Sequence, residues 1–155
     1  MKRILAAALL AATAFGAAAA GPKPFDAQSM AAIRKAEEGR AFIVAFWSVS
    51  CEPCRNEMKL LRAAQRSHPA LRVHLVAVDP VADAPAIAAF LKRYDPGPAV
   101  RWAFADSFAE RVRYAVDPAW RGELPRTYLF DRRHIPEVVS GILTQARLEG
   151  WIRRR

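Results

Sequence analysis

Two cysteines, Cys51 and Cys54, are the only thiols in the 155-residue chain, and they stand three apart in Cys51-Glu52-Pro53-Cys54. A pair at that spacing can close a small disulfide, open to a dithiol, or hold a soft metal ion. The flanking residues favour redox use. An apolar run, Ala41 to Trp47, comes before the pair, and Met58, Leu60, Leu61 and Ala64 follow it at helical spacing. Strand, thiol pair, helix is the order that sets the first thiol at a helix N-terminus. Free backbone N–H groups and the helix dipole favour negative charge there. A thiolate is the attacking species in disulfide exchange, and a second thiol one turn on resolves the mixed disulfide. Pro53 suits the first helical turn, where its missing N–H costs nothing. Glu52 opposes the dipole, because its like charge disfavours the Cys51 thiolate, and this tilts the pair toward reduction of other disulfides. A bridge across three residues constrains little of the unfolded chain, so stabilisation alone is a poor explanation for it.

The elements that must position this pair read as follows. Gly21 to Phe25 is a Pro-containing lead-in, and Asp26 is an N-cap for a helix through Met30, Ile33 and Ala36, closed by Gly39. Residues 41–47 are apolar without alternation, the pattern of a central buried strand. The helix after the cysteines runs to His68-Pro69, and Leu71 to Val78 is a second strand ending at Asp79-Pro80. A helix from about Asp83 to Tyr94 carries Ile87, Phe90 and Leu91 on one face, and Asp95-Pro96-Gly97-Pro98 breaks it. Val100 to Phe104 is a short strand, and Asp106 to Tyr114 a short helix. A loop over 117–124 leads to Pro125, the strand Thr127 to Asp131, a turn at Arg132-Arg133-His134, an edge strand within 136–141, and a closing helix from Thr144 to Ile152. Strands alternating with helices, then a hairpin and a last helix, imply a mixed α/β sheet covered on both faces.

The first twenty residues differ from the rest. Lys2 and Arg3, the apolar stretch Ile4 to Phe15, and Ala18-Ala19-Ala20 have the form of a cleaved signal peptide, with an uncleaved membrane anchor as the alternative. Residues 21–155 then form a single domain in a compartment where disulfides persist, expected to be the periplasm. The formal charge is +9. Its basic residues are scattered, apart from Arg153-Arg154-Arg155, which reads as a solvated basic surface with at most a weak attraction to anionic lipid or an acidic partner. Export argues against nucleic acid.

In the order FWSVSCEPCRNEM, LVAVD and LPRTYLFD, followed by a Gly-ended strand and a last helix, the chain resembles a thioredoxin fold. The signal segment, the Cys-Glu-Pro-Cys motif and a helix-plus-strand insert at about 80–104 resemble the TlpA-like, cytochrome-maturation-type thiol–disulfide oxidoreductases. The resemblance spans roughly residues 25–152. It implies Cys51 as exposed nucleophile, Cys54 as buried resolving thiol, and Pro125 as the cis-proline facing the disulfide, with the Leu124 backbone pairing with an extended substrate. The ordinary trans proline starting an edge strand is the alternative at Pro125. Trp47 matches the aromatic four residues before the motif and reads either as a substrate contact or as a core residue. Glu52 and Pro53, inside the motif, fall on the substrate-facing side. Glu57, one turn past Cys54, matches a position where some relatives place a proton-handling glutamate, and a dipole-favoured surface glutamate is the alternative. Two positions depart from the pattern. Ala45 stands where ordinary thioredoxins bury an Asp, and Ser50 where the family has a second Trp.

The resemblance implies no bound cofactor and a monomer. Its partners would be a protein disulfide substrate, of which apocytochrome c and copper-site assembly proteins are the family-level examples, and a membrane electron donor. Two other functions stay open: a disulfide oxidase of the same fold, and a copper carrier, since two thiolates suit Cu(I); a carrier usually wants a further His or Met ligand, and Met58 is available but reads as core. A zinc site on Cys51, Cys54, His68 and His74 is disfavoured because Pro69 separates the two histidines from a common helix. His68 and His74 read instead as surface or strand-face residues, and His134 as a solvated turn residue.

Overall fold

A computed structural model of the chain describes residues 21–105 and 108–155; the segment read as a signal peptide lies outside the described residues, as do the first two residues of the helix expected from Asp106. The strands are β1 (Lys23–Phe25), β2 (Phe42–Trp47), β3 (Arg72–Pro80), β4 (Val100–Phe104), β5 (Arg126–Phe130) and β6 (Pro136–Ser140). The helices are α1 (Ser29–Ala36), α2 (Glu52–Ser67), α3 (Ala84–Tyr94), α4 (Ala109–Val116) and α5 (Gln145–Arg154). The six strands form one sheet in the order β1-β4-β3-β2-β5-β6. β2, β3, β4 and β1 run parallel, while β5 and β6 are antiparallel additions beside β2.

The continuous apolarity of β2 has a direct cause: every one of its residues is buried, and the two faces of the strand feed two separate cores. Ile43, Ala45 and Trp47 point to the layer holding α2, α3 and α5, where they meet Met58, Leu61, Ile87, Leu148 and Trp151. Phe42, Val44 and Phe46 point the other way, to α1 and α4 and to Phe25, Ile33, Val112 and Trp120. The alternation of period two thus divides one apolar run between two helix layers. The sheet is the mixed, doubly covered thioredoxin architecture expected from the sequence. α3 and β4 fill the region read as an insert, and β4 pairs in parallel between β1 and β3.

Three local readings are corrected. The lead-in is partly strand: Lys23 to Phe25 pairs with Trp102 to Phe104. Pro24, which has no N–H to donate, is tolerated at this edge. Asp26 does not cap α1 directly, since Gln28 holds the cap position without a side-chain bond. Instead its Oδ1 accepts from Gln28 N–H at 3.0 Å and from Ser29 Oγ at 2.7 Å, fixing the turn just before the helix. The third correction concerns the histidines. His74 is buried, with Nδ1 accepting from Trp102 Nε1 at 3.2 Å and Nε2 facing Glu37 Oε1 at 3.0 Å. With the first bond assigning the acceptor nitrogen, Nε2 carries the proton and donates to Glu37. Burial holds the His74 pKa below its ordinary value even though Glu37 pulls it up. His134 is likewise no free solvent residue, since its ring bonds the Glu37 carbonyl at 3.0 Å and sits edge-on to Phe42.

Candidate active site

Cys51 and Cys54 form a disulfide at the start of α2, with their Cα atoms 5.4 Å apart. Cys51 is the N-cap residue of α2, in extended backbone conformation, and its Sγ accepts from the Cys54 N–H at 3.3 Å. Glu52 and Pro53 occupy the first turn and are exposed, as their place in the motif requires. The two sulfurs differ in access: Cys51 is half-buried, whereas Cys54 is fully buried against the α2–α5 core. An incoming thiolate or disulfide therefore meets Cys51 first. The amide that bonds Sγ, together with the helix dipole, would stabilise negative charge on that sulfur once the bridge opens.

Glu57 lies one turn past Cys54, on the same face of α2, so the two Cβ atoms are about 5–6 Å apart. The surface alternative fails at this residue, because Glu57 is only 3 % exposed. Its Oε1 accepts from the Thr127 hydroxyl, while Oε2 is buried with no hydrogen-bond partner. Burial pushes its pKa up to about 7, and the Thr127 bond offsets only part of that rise. Ala45 explains where the space comes from. It stands opposite Thr127 in the antiparallel β2–β5 ladder, and its small side chain faces the same core. A carboxylate from the helix thus enters the region that an Asp on the strand would otherwise supply.

The Leu124–Pro125 peptide bond is cis, at the entry to β5. The loop before it is anchored by Arg126, whose buried guanidinium bonds Asp117, Glu123, Ser140 and the Tyr128 hydroxyl. Trp120 Nε1 adds a bond to the Glu123 carbonyl at 3.0 Å. Burial would raise both carboxylates, but Asp117 is held below the usual range by the Ala119 N–H and by Arg126, and Glu123 by the Ser140 hydroxyl, backbone N–H groups and the Arg126 charge.

Trp47 is placed in the core. It is 1 % exposed and packs on Phe90 at 4.6 Å between ring centroids, so it cannot touch a docked polypeptide without rearrangement. Ser50, in place of the family's second Trp, belongs instead to a polar loop. Asp79, at the end of β3, accepts from Ser48 Oγ at 2.9 Å and from Val49 N–H at 3.0 Å, and Ser48 Oγ lies 3.0 Å from Ser50 Oγ. Cys51 N–H closes the turn onto the Ser48 carbonyl at 3.1 Å. Asp79, Ser48, Thr127 and Arg126 were not singled out from sequence. Only Thr127 had a usable signal there, two residues past Pro125 in the strand expected to flank the apolar run. Among the described residues no group of three or more His, Cys, Asp or Glu could hold a metal ion, and no helix is long and apolar enough to cross a membrane.

No protein-family model matches the chain. Two curated relatives do. The chain is 25% identical over 120 residues to the thiol-disulfide oxidoreductase ResA of Bacillus cereus, covering 76% of this chain and 64% of the relative. It is 29% identical over 120 residues to ResA of Oceanobacillus iheyensis, covering 74% of this chain and 57% of the relative. The chain therefore spans less than two thirds of the length of either. Among solved structures, a secreted Mycobacterium tuberculosis disulfide oxidoreductase homologous to E. coli DsbE superposes with a TM-score of 0.63 at 18% identity, over 78% of this chain and 86% of that one. The thioredoxin fold is thereby shared with solved oxidoreductases, and the resemblance to TlpA-like thiol–disulfide oxidoreductases extends to named relatives in sequence.

Proposed function

We propose that the chain is an exported, periplasmic thiol–disulfide oxidoreductase that reduces disulfides in other proteins. The observation that carries this reading is the unequal access of the two sulfurs at the N-terminus of α2, one half-buried and one fully buried. Similarity to relatives named thiol-disulfide oxidoreductase supports the reaction class. The secreted description of a structural neighbour supports export.

In the reduced protein the Cys51 thiolate attacks a substrate disulfide, forming a Cys51–substrate bond and releasing one substrate thiolate. Glu57 takes the Cys54 thiol proton through its carboxylate, which a pKa of about 7 makes a fitting base near neutral pH. The Cys54 thiolate then attacks Cys51 Sγ and expels the second substrate thiolate. The substrate has gained two electrons, and the Cys51–Cys54 pair has lost them. A dithiol on a membrane electron donor restores the pair by the same exchange in reverse. Leu124 and Pro125 flank the extended substrate, and Glu52 and Pro53 meet it beside Cys51. Apocytochrome c and copper-site assembly proteins are the candidate substrates. No resident cofactor takes part in this sequence, and the protein works as a monomer.

The test is trapping. Cys54→Ala should accumulate mixed disulfides through Cys51 that a reductant releases, and Cys51→Ala should abolish exchange. Absence of any adduct with Cys54→Ala, both in cells and with a model disulfide substrate, would refute the mechanism.

A further inference from the structure

At the opposite end of β2 from the disulfide, four arginines line a pocket of about 290 Å³. Arg40 comes from the α1–β2 turn, Arg72 from the start of β3, Arg132 from the β5–β6 turn and Arg155 from the end of α5, with Gly39, Ala41 and Ala70 completing the walls. A six-residue strand at about 3.3 Å per residue separates this pocket from the motif by on the order of 20 Å, so the two sites do not overlap.

The charge in this pocket is unbalanced. Among the described residues Glu37 is the one side-chain carboxylate bonded there: its Oε2 accepts from Arg72 Nε and lies 3.5 Å from Arg40 Nε, and its Oε1 is taken by His74. The buried carboxyl would rise on burial alone, yet the bonds from Arg72 and His74 hold it below the usual range, so it stays ionised and fully committed. Arg132 and Arg155 have no carboxylate partner among the described residues. Arg155 lies over the Trp151 ring at 5.7 Å. Burial and the neighbouring Arg132 charge both push Arg155 below its ordinary value, the mark of two like charges held close together by the fold. Four arginines against one committed side-chain carboxylate leave this pocket positive even when the α-carboxylate of Arg155 is counted, a Coulomb cost that a multivalent anion would offset. Forked N–H donors arriving from several directions match the tetrahedral oxygens and double charge of a phosphate group better than a flat carboxylate.

We propose that the pocket formed by Arg40, Arg72, Arg132 and Arg155 binds a phosphate-type oxyanion, supplied either by a soluble phosphate ester or by the headgroup of an anionic lipid. If a lipid supplies it, the disulfide end faces away from the bilayer.

The experiment titrates pyrophosphate into the oxidised protein at low ionic strength, for wild type, Arg132→Gln, Arg155→Gln and a charge-matched control, Arg101→Gln, on exposed β4 surface. In parallel, flotation measures binding to phosphatidylcholine vesicles with and without phosphatidylglycerol. Saturable binding that weakens about tenfold in each pocket variant and is unchanged in the control supports the site, since each guanidinium removes a charge-assisted bond. The same dependence on Arg132 and Arg155 with the anionic vesicles alone assigns the lipid headgroup as source, and with pyrophosphate alone a soluble ester. Absence of saturable binding to both probes, or equal weakening in Arg101→Gln, would overturn the proposal and leave a diffuse basic surface. An unchanged reduction potential of the Cys51–Cys54 couple in every variant verifies that the fold is intact.

Discussion

Replacing Glu57 by Gln removes a titrating proton from the core while keeping shape and an acceptor for the Thr127 hydroxyl. The consequence for stability follows from linkage. An unfolded glutamate titrates at 4.5, and burial lifts Glu57 to about 7 in the folded protein. The folded state therefore binds this proton more tightly than the unfolded chain does. The Glu57 contribution to wild-type stability therefore falls as pH rises from about 4.5, and the loss levels off above about 7. At 1.36 kcal/mol per pKa unit, the full penalty is about 3 kcal/mol. Glu57→Gln has no such proton, so its stability relative to wild type should be near zero at pH 4.5 and rise to about 3 kcal/mol in favour of the variant at pH 9. Guanidinium denaturation of both oxidised proteins across that range measures the difference. Every other titrating group, including Glu37, His74 and Asp117, cancels in the comparison. A difference that stays flat with pH, or favours wild type at pH 9, would refute the placement of a buried, elevated carboxyl at this position. The same substitution should slow resolution of the mixed disulfide and abolish its pH dependence near 7.

Thr127→Val deletes the donor that partly offsets the Glu57 shift, so it should destabilise by about 1–3 kcal/mol, and more at pH 9 than at pH 5. Denaturation at the two pH values checks the sign. Asp79→Ala frees Ser48 Oγ and Val49 N–H in the turn that leads to Cys51. It should cost about 1–3 kcal/mol in stability and slow the first attack on a model disulfide in stopped-flow exchange. Arg126→Met leaves Asp117 and Glu123 facing each other without a cation. Because both carboxylates are partly exposed, the loss should be about 2–3 kcal/mol, below the range for a fully buried pair, as read from the denaturation midpoint.

Much of this molecule could be read from its sequence because its strongest local signals coincide with its tertiary roles. The run at 41–47 is apolar throughout since β2 is covered on both faces, Pro53 marks the first turn of the helix that carries the disulfide, and Pro125 marks the cis bond at the entry to β5. What escaped was non-local. β1 is three residues long and contains Pro24, so only its pairing with β4, some eighty residues away, makes it a strand. His74 looks like any polar residue in a strand until Glu37 and Trp102 are brought beside it. Glu57 could be read as a surface or a proton-handling residue with equal ease, because its burial depends on Ala45 and Thr127 across the sheet. Asp79 sits in a plain Val-Asp-Pro strand end, and nothing local distinguishes it from a turn residue. Trp47 could be read as a substrate contact or as a core residue, and its ring fills the core against Phe90.

Whether Cys51 and Cys54 form the proposed reducing couple is measured most directly by the equilibrium reduction potential of that pair in defined thiol buffers. A reversible two-electron couple at about −220 mV or below, in the range of thioredoxins and glutaredoxins, is the expected result. A value of about −120 mV, the range of a strong disulfide oxidant, would contradict a reducing role for the pair.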